Sequence, residues 1–305
     1  MGAPLLAALK PFTRIIFSVL LIISSFIAIS LIGILIAIPI FHIHFWDAGM
    51  LLQDYSNPQT VALLKYMQIL QSVGLFLVPP LLAGFFFEGN PIGFLRMNRQ
   101  VPFISYLFVI LLLVVFTPFL DWMIAVNKQV QLPGFLSEVE QWMQDTEAEA
   151  TRLTNAFLSG SSVTTLLVNL LMIAILPGIA EELMFRGLIQ RLLDDWLKNI
   201  HLAIWISAFL FGAMHLQFYG LLPRMVLGAI FGYLFWWSGC IWIPVLGHLL
   251  NNAFTVVAAW LTELDYIDNT WQEFGTSAVW YLILSSALLT LIFMFSFYRI
   301  FSTRR

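Results

Sequence analysis

Charge is scarce in this sequence: Asp, Glu, Lys and Arg make up 10% of 305 residues. Soluble domains carry about 25%, so the chain lacks the polar coat that a water-facing surface needs. It has a single cysteine, Cys240, which rules out an intramolecular disulfide and reads as a small buried apolar residue. It has no excess of positive charge. A net charge of −3 and an isoelectric point near 5.9 exclude a general nucleic-acid surface. The long apolar runs lack the apolar-polar alternation of a membrane β-barrel. The first run, about residues 15–41, is too long for a signal-peptide core and has no Ala-x-Ala cleavage site, so it is expected to remain as an anchor. A myristoylation signal is missing too, because Leu6 stands where Ser or Thr is required.

What is abundant is hydrophobic mass. Apolar residues make up 60% of the chain, with 28 Phe and 11 Trp, and the mean hydropathy is +0.90. These numbers describe an integral membrane protein. A hydrocarbon layer about 30 Å thick needs roughly 20 apolar residues per helix. On that rule the chain divides into about eight transmembrane helices, at 14–41, 61–87, 101–124, 161–190, 202–219, 224–239, 241–261 and 277–299. The expected fold is all-α, a polytopic helix bundle.

Charge placement orients it. Lys10, Arg14, Arg96, Arg99, Arg191, Lys198, Arg299, Arg304 and Arg305 fall on one side of eight crossings. Asp47, Asp54, Glu263, Asp265, Asp268 and Glu273 fall on the other. The positive-inside rule then puts both termini in the cytoplasm, and the membrane is the cytoplasmic (inner) one if the host is bacterial. The segment 128–160 is an acidic extracytoplasmic connector, read mainly as solvated. Leu136, Val139, Trp142 and Met143 recur at helical spacing within it, which suits an amphipathic surface helix.

A charge at the centre of a membrane helix costs about 2.5–3.5 kcal/mol on insertion scales, and most charges here avoid that by sitting at span ends. Lys65 and Asp121 fit this pattern. Glu181-Glu182-Leu183-Met184-Phe185-Arg186 does not: two adjacent carboxylates and an arginine follow a long apolar run. Glu182 and Arg186 are four apart and share a helix face, so they can pair. Glu181 is rotated about 100° away and is left to face a cavity. Pro177-Gly178 just upstream can disturb the helix, a break tolerated at membrane depth only against protein or water.

Two histidines on separate spans belong with these residues. His215 lies in the fifth span, after Phe211; His248 lies in the seventh, with Asn252 one turn later on its face. A carboxylate, two imidazoles and an amide are the groups needed to deprotonate water and steady an oxyanion. By sequence depth, Glu181 sits near the inner end of span four, His248 in the inner half of span seven and His215 nearer the middle. Together they imply a funnel open to the cytoplasm.

Glu-Glu-x-x-x-Arg, Phe-x-x-x-His and His-x-x-x-Asn, in that order on successive helices, resemble the CAAX protease and bacteriocin-processing family of intramembrane endopeptidases. The resemblance covers about residues 160–260. It implies that Glu181 is the general base, helped by His215; that His248 and Asn252 form the oxyanion site; and that Glu182 and Arg186 shape the site. The substrate would be a peptide or lipidated protein at the bilayer, prenylated or of leader type. The implied mechanism needs no cofactor, although zinc on Glu181, His215 and His248 is an alternative. The compact His-Glu-x-x-His zinc helix is absent from the sequence. The chain then divides into three spans over 1–127, the connector 128–160, a core over 161–261, and a last span with a basic tail over 262–305. Rival readings are a non-catalytic bacteriocin-immunity or scaffold protein and a small proton-coupled transporter.

Other residues read as structural. His42 and His44 lie at an interface, as does His201. Gly228 and Gly232 form a close-packing step, and Pro79-Pro80 should kink span two.

Overall fold

The computed structural model describes residues 5–42, 54–268 and 280–302. His44, Asp47, Glu273, Arg304 and Arg305, noted above, lie outside the described residues. Within them the chain is an all-helical bundle: α1 (Pro11–Phe41), α2 (Pro58–Glu88), α3 (Ile104–Asn127), α4 (Ser137–Leu158), α5 (Val163–Leu197), α6 (Ile200–Ala213), α7 (Leu221–Ser238), α8 (Trp242–Glu263) and α9 (Trp280–Ser302). Among the described residues, α1, α2, α3, α5, α8, α9 and α7 with the turn before it are long and apolar enough to cross a membrane, and α6 is a shorter apolar helix. The chain is a multi-pass integral membrane protein.

Lipid-facing helices bury small residues and expose large ones. On α1 the buried positions are Ser18, Ser25, Gly33 and Ala37, whereas Leu20, Leu31 and Leu35 point outward. That inversion lets backbones approach where no water drives apolar groups together. On α9 the buried Ser286 replaces a helical bond of α3: its hydroxyl donates to Val115 O (2.6 Å) and accepts from Phe119 N (3.1 Å), opening the turn that holds Pro118.

Two prolines act alike. Pro79 in α2 follows a π-helical turn at Ser72–Leu77, and Pro177 in α5 follows one at Leu170–Ile175. A proline has no N–H and its ring crowds the carbonyl four residues back; widening the preceding turn relieves the clash. At Pro79-Pro80, where the sequence suggests a kink, the structure shows this widened turn. A second π turn in α5, Leu183–Ile189, spans the charged motif.

Side-chain contacts define the two ends of the bundle. At one, Trp242 Nε1 donates to Met97 O (2.8 Å), Arg14 lies over the Phe87 ring, and Arg191 pairs with Glu88 at 3.6 Å. This basic end gathers Lys10, Arg14, Arg96, Arg99, Arg191, Lys198 and Arg299. At the other, Asn127 Nδ2 donates to Phe218 O (3.1 Å) and Tyr219 O (2.6 Å), and Trp260 Nε1 to Ser161 O (3.0 Å). This acidic end carries the connector, which is helical: α4 has one buried residue, Phe157, and its Trp142 ring packs on Phe218 at 4.9 Å. Near it Lys65 Nζ donates to Asn169 Oδ1 (2.8 Å), so this lysine is held by an amide inside the bundle.

Two sequence expectations need correction. Helix α5 runs to Leu197, not 190, so Glu181 lies near its middle and not near its inner end. Helix α6 stops at Ala213, and His215 lies beyond it, before a 3₁₀ turn at Phe218–Gly220. At 1.5 Å per residue its 14 residues extend about 21 Å, short of a hydrocarbon layer.

Candidate active site

The site is assembled where α5, α7 and α8 meet. Gly178 eases the first contact: a Cβ there would stand 3.1 Å from the backbone of Leu249, a tight approach that would push α5 and α8 apart by a few tenths of an ångström. One turn further along α5, Glu182 is 0% exposed, Arg186 1% and His248 of α8 4%. Oε1 of Glu182 accepts from Arg186 Nη1 at 2.6 Å and from His248 Nδ1 at 2.9 Å. The i, i+4 pairing read from the sequence is therefore present, and a third member from another helix joins it.

Arg186 is held on every side. Its Nη2 donates to Gly228 O (2.9 Å), and its guanidinium lies 4.8 Å from the Phe211 ring centre and 5.7 Å from that of Phe231. One turn on, Gln190 Nε2 donates to Gly232 O (3.2 Å). Arg186 and Gln190 on α5 are thus in register with Gly228 and Gly232 on α7. The glycine step is more than close packing, because its carbonyls receive the polar heads of the facing helix.

The bond to Glu182 sets the tautomer of His248. A carboxylate only accepts, so Nδ1 carries the proton in that bond, and Nε2 faces Glu181 Oε2 at 3.9 Å. That Oε2 has no hydrogen-bond donor among the described residues. A gap of 3.9 Å is too long for a hydrogen bond, but a water placed about 2.8 Å from each atom subtends an angle near 90° there. The ring is fixed by aromatics: Phe231 stacks on it (6.0 Å, 25°) and Phe211 meets it edge-on (5.6 Å, 88°).

His215 and Asn252 stand one step out. His215 Nδ1 donates to Phe211 O (2.9 Å), leaving Nε2 as an acceptor. Among the described residues no hydrogen bond joins His215 to Glu181; the Phe211 ring contacts both histidines. Asn252 Nδ2 donates to Ile173 O (2.9 Å). That carbonyl is four residues before Pro177 and cannot receive a bond from the proline nitrogen, so one amide hydrogen of Asn252 mends the helix and the second stays available.

A cavity of about 330 Å³ adjoins Asn252 and is lined by Lys128, Glu147, Tyr219, Arg224, Asn251 and Thr255, with Leu120, Ile124 and Leu227 among its apolar walls. Arg224 donates to the backbone and side-chain oxygens of Gln217. Sequence reasoning missed Arg224 because it stands at the edge of a short apolar run and looks like an ordinary span-end charge. The available signal was the brevity of that run, too short to carry position 224 to a surface. Phe231 and Gln190 were missed as well, being indistinguishable from packing until the helix register is known. Among the described residues, no three His, Cys, Asp or Glu side chains gather closely enough to hold a metal, so Glu181, His215 and His248 do not fit a zinc site as they stand.

A family model described as type II CAAX prenyl endopeptidase Rce1-like matches residues 163–254, which include every residue of the motif set. Over that segment the chain is similar to the CAAX protease family. Two proteins of Bacillus subtilis (strain 168) are similar to it. One, named "Putative membrane peptidase YdiL", is 30% identical over 95 residues, 31% of this chain and 38% of its own. The other, "Uncharacterized protein YpbD", is 27% identical over 89 residues, 28% of this chain and 42% of its own. The matched stretch thus spans about two-fifths of each relative. No solved structure matches the chain. The matched segment coincides with α5 to α8, the helices that supply the cluster.

Proposed function

We propose that the chain is an intramembrane endopeptidase of the glutamate type, with Glu181 as general base. The observation that carries this reading is the division between adjacent glutamates. Glu182 accepts from Arg186 and His248 through Oε1, whereas among the described residues no hydrogen bond reaches Glu181, whose Oε2 lies 3.9 Å from His248 Nε2. Glu181 takes a proton from the water between them, and the hydroxide adds to the scissile carbonyl carbon. His248, when protonated at Nε2, and the second amide hydrogen of Asn252 donate to the oxyanion. Glu181 then passes its proton to the leaving amine, and the C–N bond breaks. His215 supports the water through its free Nε2, while Glu182 and Arg186 hold the ring of His248.

No metal has a part in this scheme. The substrate is a membrane-associated polypeptide, prenylated or of leader type. The four-span core over 161–261 carries the chemistry, three spans precede the connector, and both termini face the cytoplasm, at the inner membrane in a bacterial host. The test is hydrolysis of fluorogenic and lipidated peptides by the protein in liposomes, with and without chelator, alongside Glu181→Gln. General-base loss should lower turnover by about 10²–10⁴-fold, with chelator inert. Activity abolished by chelator and restored by Zn²⁺ would overturn the metal-free scheme, and full activity in Glu181→Gln would overturn the base assignment.

A further inference from the structure

The basic end of the bundle holds two guanidiniums that the protein leaves largely unmet. Arg14 stands in the first turn of α1 and Arg191 in the last two turns of α5. The two helices share an apolar cluster, in which Leu9 and Ile15 pack with Leu188 and Leu192. The segment before α1 folds over the end of α2, where Leu6 N donates to Phe86 O (3.0 Å). The guanidinium of Arg14 lies 5.2 Å from the Phe87 ring centre, and that of Arg191 lies 4.5 Å from the Phe94 ring centre. These rings are neighbours at 6.1 Å, so both cations rest on one aromatic pair.

Packing anchors them, but hydrogen bonding does not satisfy them. A guanidinium presents its N–H donors around a planar fork. Among the described residues Arg14 donates once, from Nη2 to Ala7 O (2.7 Å), and Arg191 has an ion pair to Glu88 at 3.6 Å. Arg14 Nε and Arg191 Nη1 have no acceptor. Glu88 is the one carboxylate ion-paired with either arginine among the described residues. Lys10, exposed one turn before Arg14, adds a further cation. Neither arginine is sealed off, since Arg14 is half-buried and the Arg191 side chain is 25% exposed.

The flank of this cluster faces lipid. The Phe12 ring packs on Trp196 at 5.3 Å, and both residues are exposed, as is Ile16. Aromatic side chains at the end of a span mark the membrane–water interface, the level at which lipid phosphates lie and to which long cationic side chains reach. We propose that Arg14 and Arg191 bind the phosphate of an anionic phospholipid, with Lys10 at the rim and the acyl chains against Phe12, Ile16 and Trp196. Planar forks match phosphate oxygens. The excess of cations over Glu88 selects a lipid of net negative charge over a zwitterionic one, and the apolar flank selects a lipid over a soluble phosphate. The phosphate bridges α1 to α5, and so ties the first helix to the helix that carries the glutamate pair. The site does not depend on the peptidase reading.

The test melts the purified full chain in a neutral detergent with added phosphatidylglycerol, phosphatidylcholine of the same acyl chains, or glycerol 1-phosphate. Native mass spectrometry counts the lipids retained. The expected result is a saturable rise in melting temperature with phosphatidylglycerol and little or none with the other two. In the double variant Arg14→Gln/Arg191→Gln the apparent affinity for phosphatidylglycerol should fall about tenfold or more, whereas Arg99→Gln, an exposed arginine at the same end, should keep it. Equal rises with both lipids would overturn the proposal, and so would an unchanged affinity in the double variant. A rise with glycerol 1-phosphate as large as with the lipid would assign the site to a soluble phosphate instead. Should the double variant fail to fold, the comparison of the two lipids on the wild type still decides.

Discussion

Glu182 Oε1 accepts from Arg186 and His248 at once, at 2.6 and 2.9 Å, so removal of the arginine leaves a carboxylate of 0% exposure with one partner. Breaking such a buried pair from one side costs about 3–5 kcal/mol. Arg186→Ala should therefore lower thermal stability in detergent by that order. Arg186→Lys should recover only part of the loss, since a single ammonium cannot reproduce the planar fork that reaches Glu182 and Gly228 O while lying over Phe211. Unchanged melting of Arg186→Ala would mean that the pair is not buried as described. Which part of this network the sequence revealed follows from distance along the chain. Glu182 and Arg186 are one helical turn apart and could be paired by counting. The bond from His248 joins residues 66 apart and depends on how α5 meets α8, which no local pattern encodes. Phe211 was legible as packing, and it does pack, but its ring and carbonyl also hold both histidines.

At the scale of elements, register between α5 and α7 positions the site. A Cβ at Gly228 would lie 3.2 Å from both Arg186 Nη2 and Phe211 Cδ1, and one at Gly232 would lie 2.8 Å from Gln190 Oε1. Overpacking of this kind costs about 1–3 kcal/mol. Gly228→Ala and Gly232→Ala should both lose stability, and Gly228→Ala should also lose turnover because it shifts the guanidinium. Gly134→Ala, where nothing lies within 4 Å, should do neither; melting curves and peptide hydrolysis compare the three. The spans themselves were legible because a run of some 20 apolar residues has few alternatives. Their ends were less so. Met214, Leu216 and Phe218 continue the apolar run of α6, so hydropathy carries the span to 219, whereas the backbone turns at Leu216 with φ 52°. Met214 and Leu216 in this turn are exposed yet as apolar as the helix before them, so hydropathy does not mark where the helix stops.

At the scale of the molecule, basic residues gather at one end of the bundle and the acidic connector lies at the other, where a cavity adjoins Asn252. Sequence depth took α5 to end at 190 and α6 to reach 219, whereas they end at Leu197 and Ala213. The fold as a bundle of about eight helices was legible from composition. The cavity was not, because its lining comes from residues far apart in the sequence, from Leu120 to Thr255. The central claim is the division of labour between two adjacent carboxylates, and it is tested most directly by measuring turnover and melting together in Glu181→Gln and Glu182→Gln. The account predicts that Glu181→Gln melts as the wild type does and loses about 10²–10⁴-fold in turnover, whereas Glu182→Gln melts at lower temperature because the buried Arg186 loses its counter-charge. The reverse pattern, with a stable, inactive Glu182→Gln beside a destabilised, active Glu181→Gln, would contradict it.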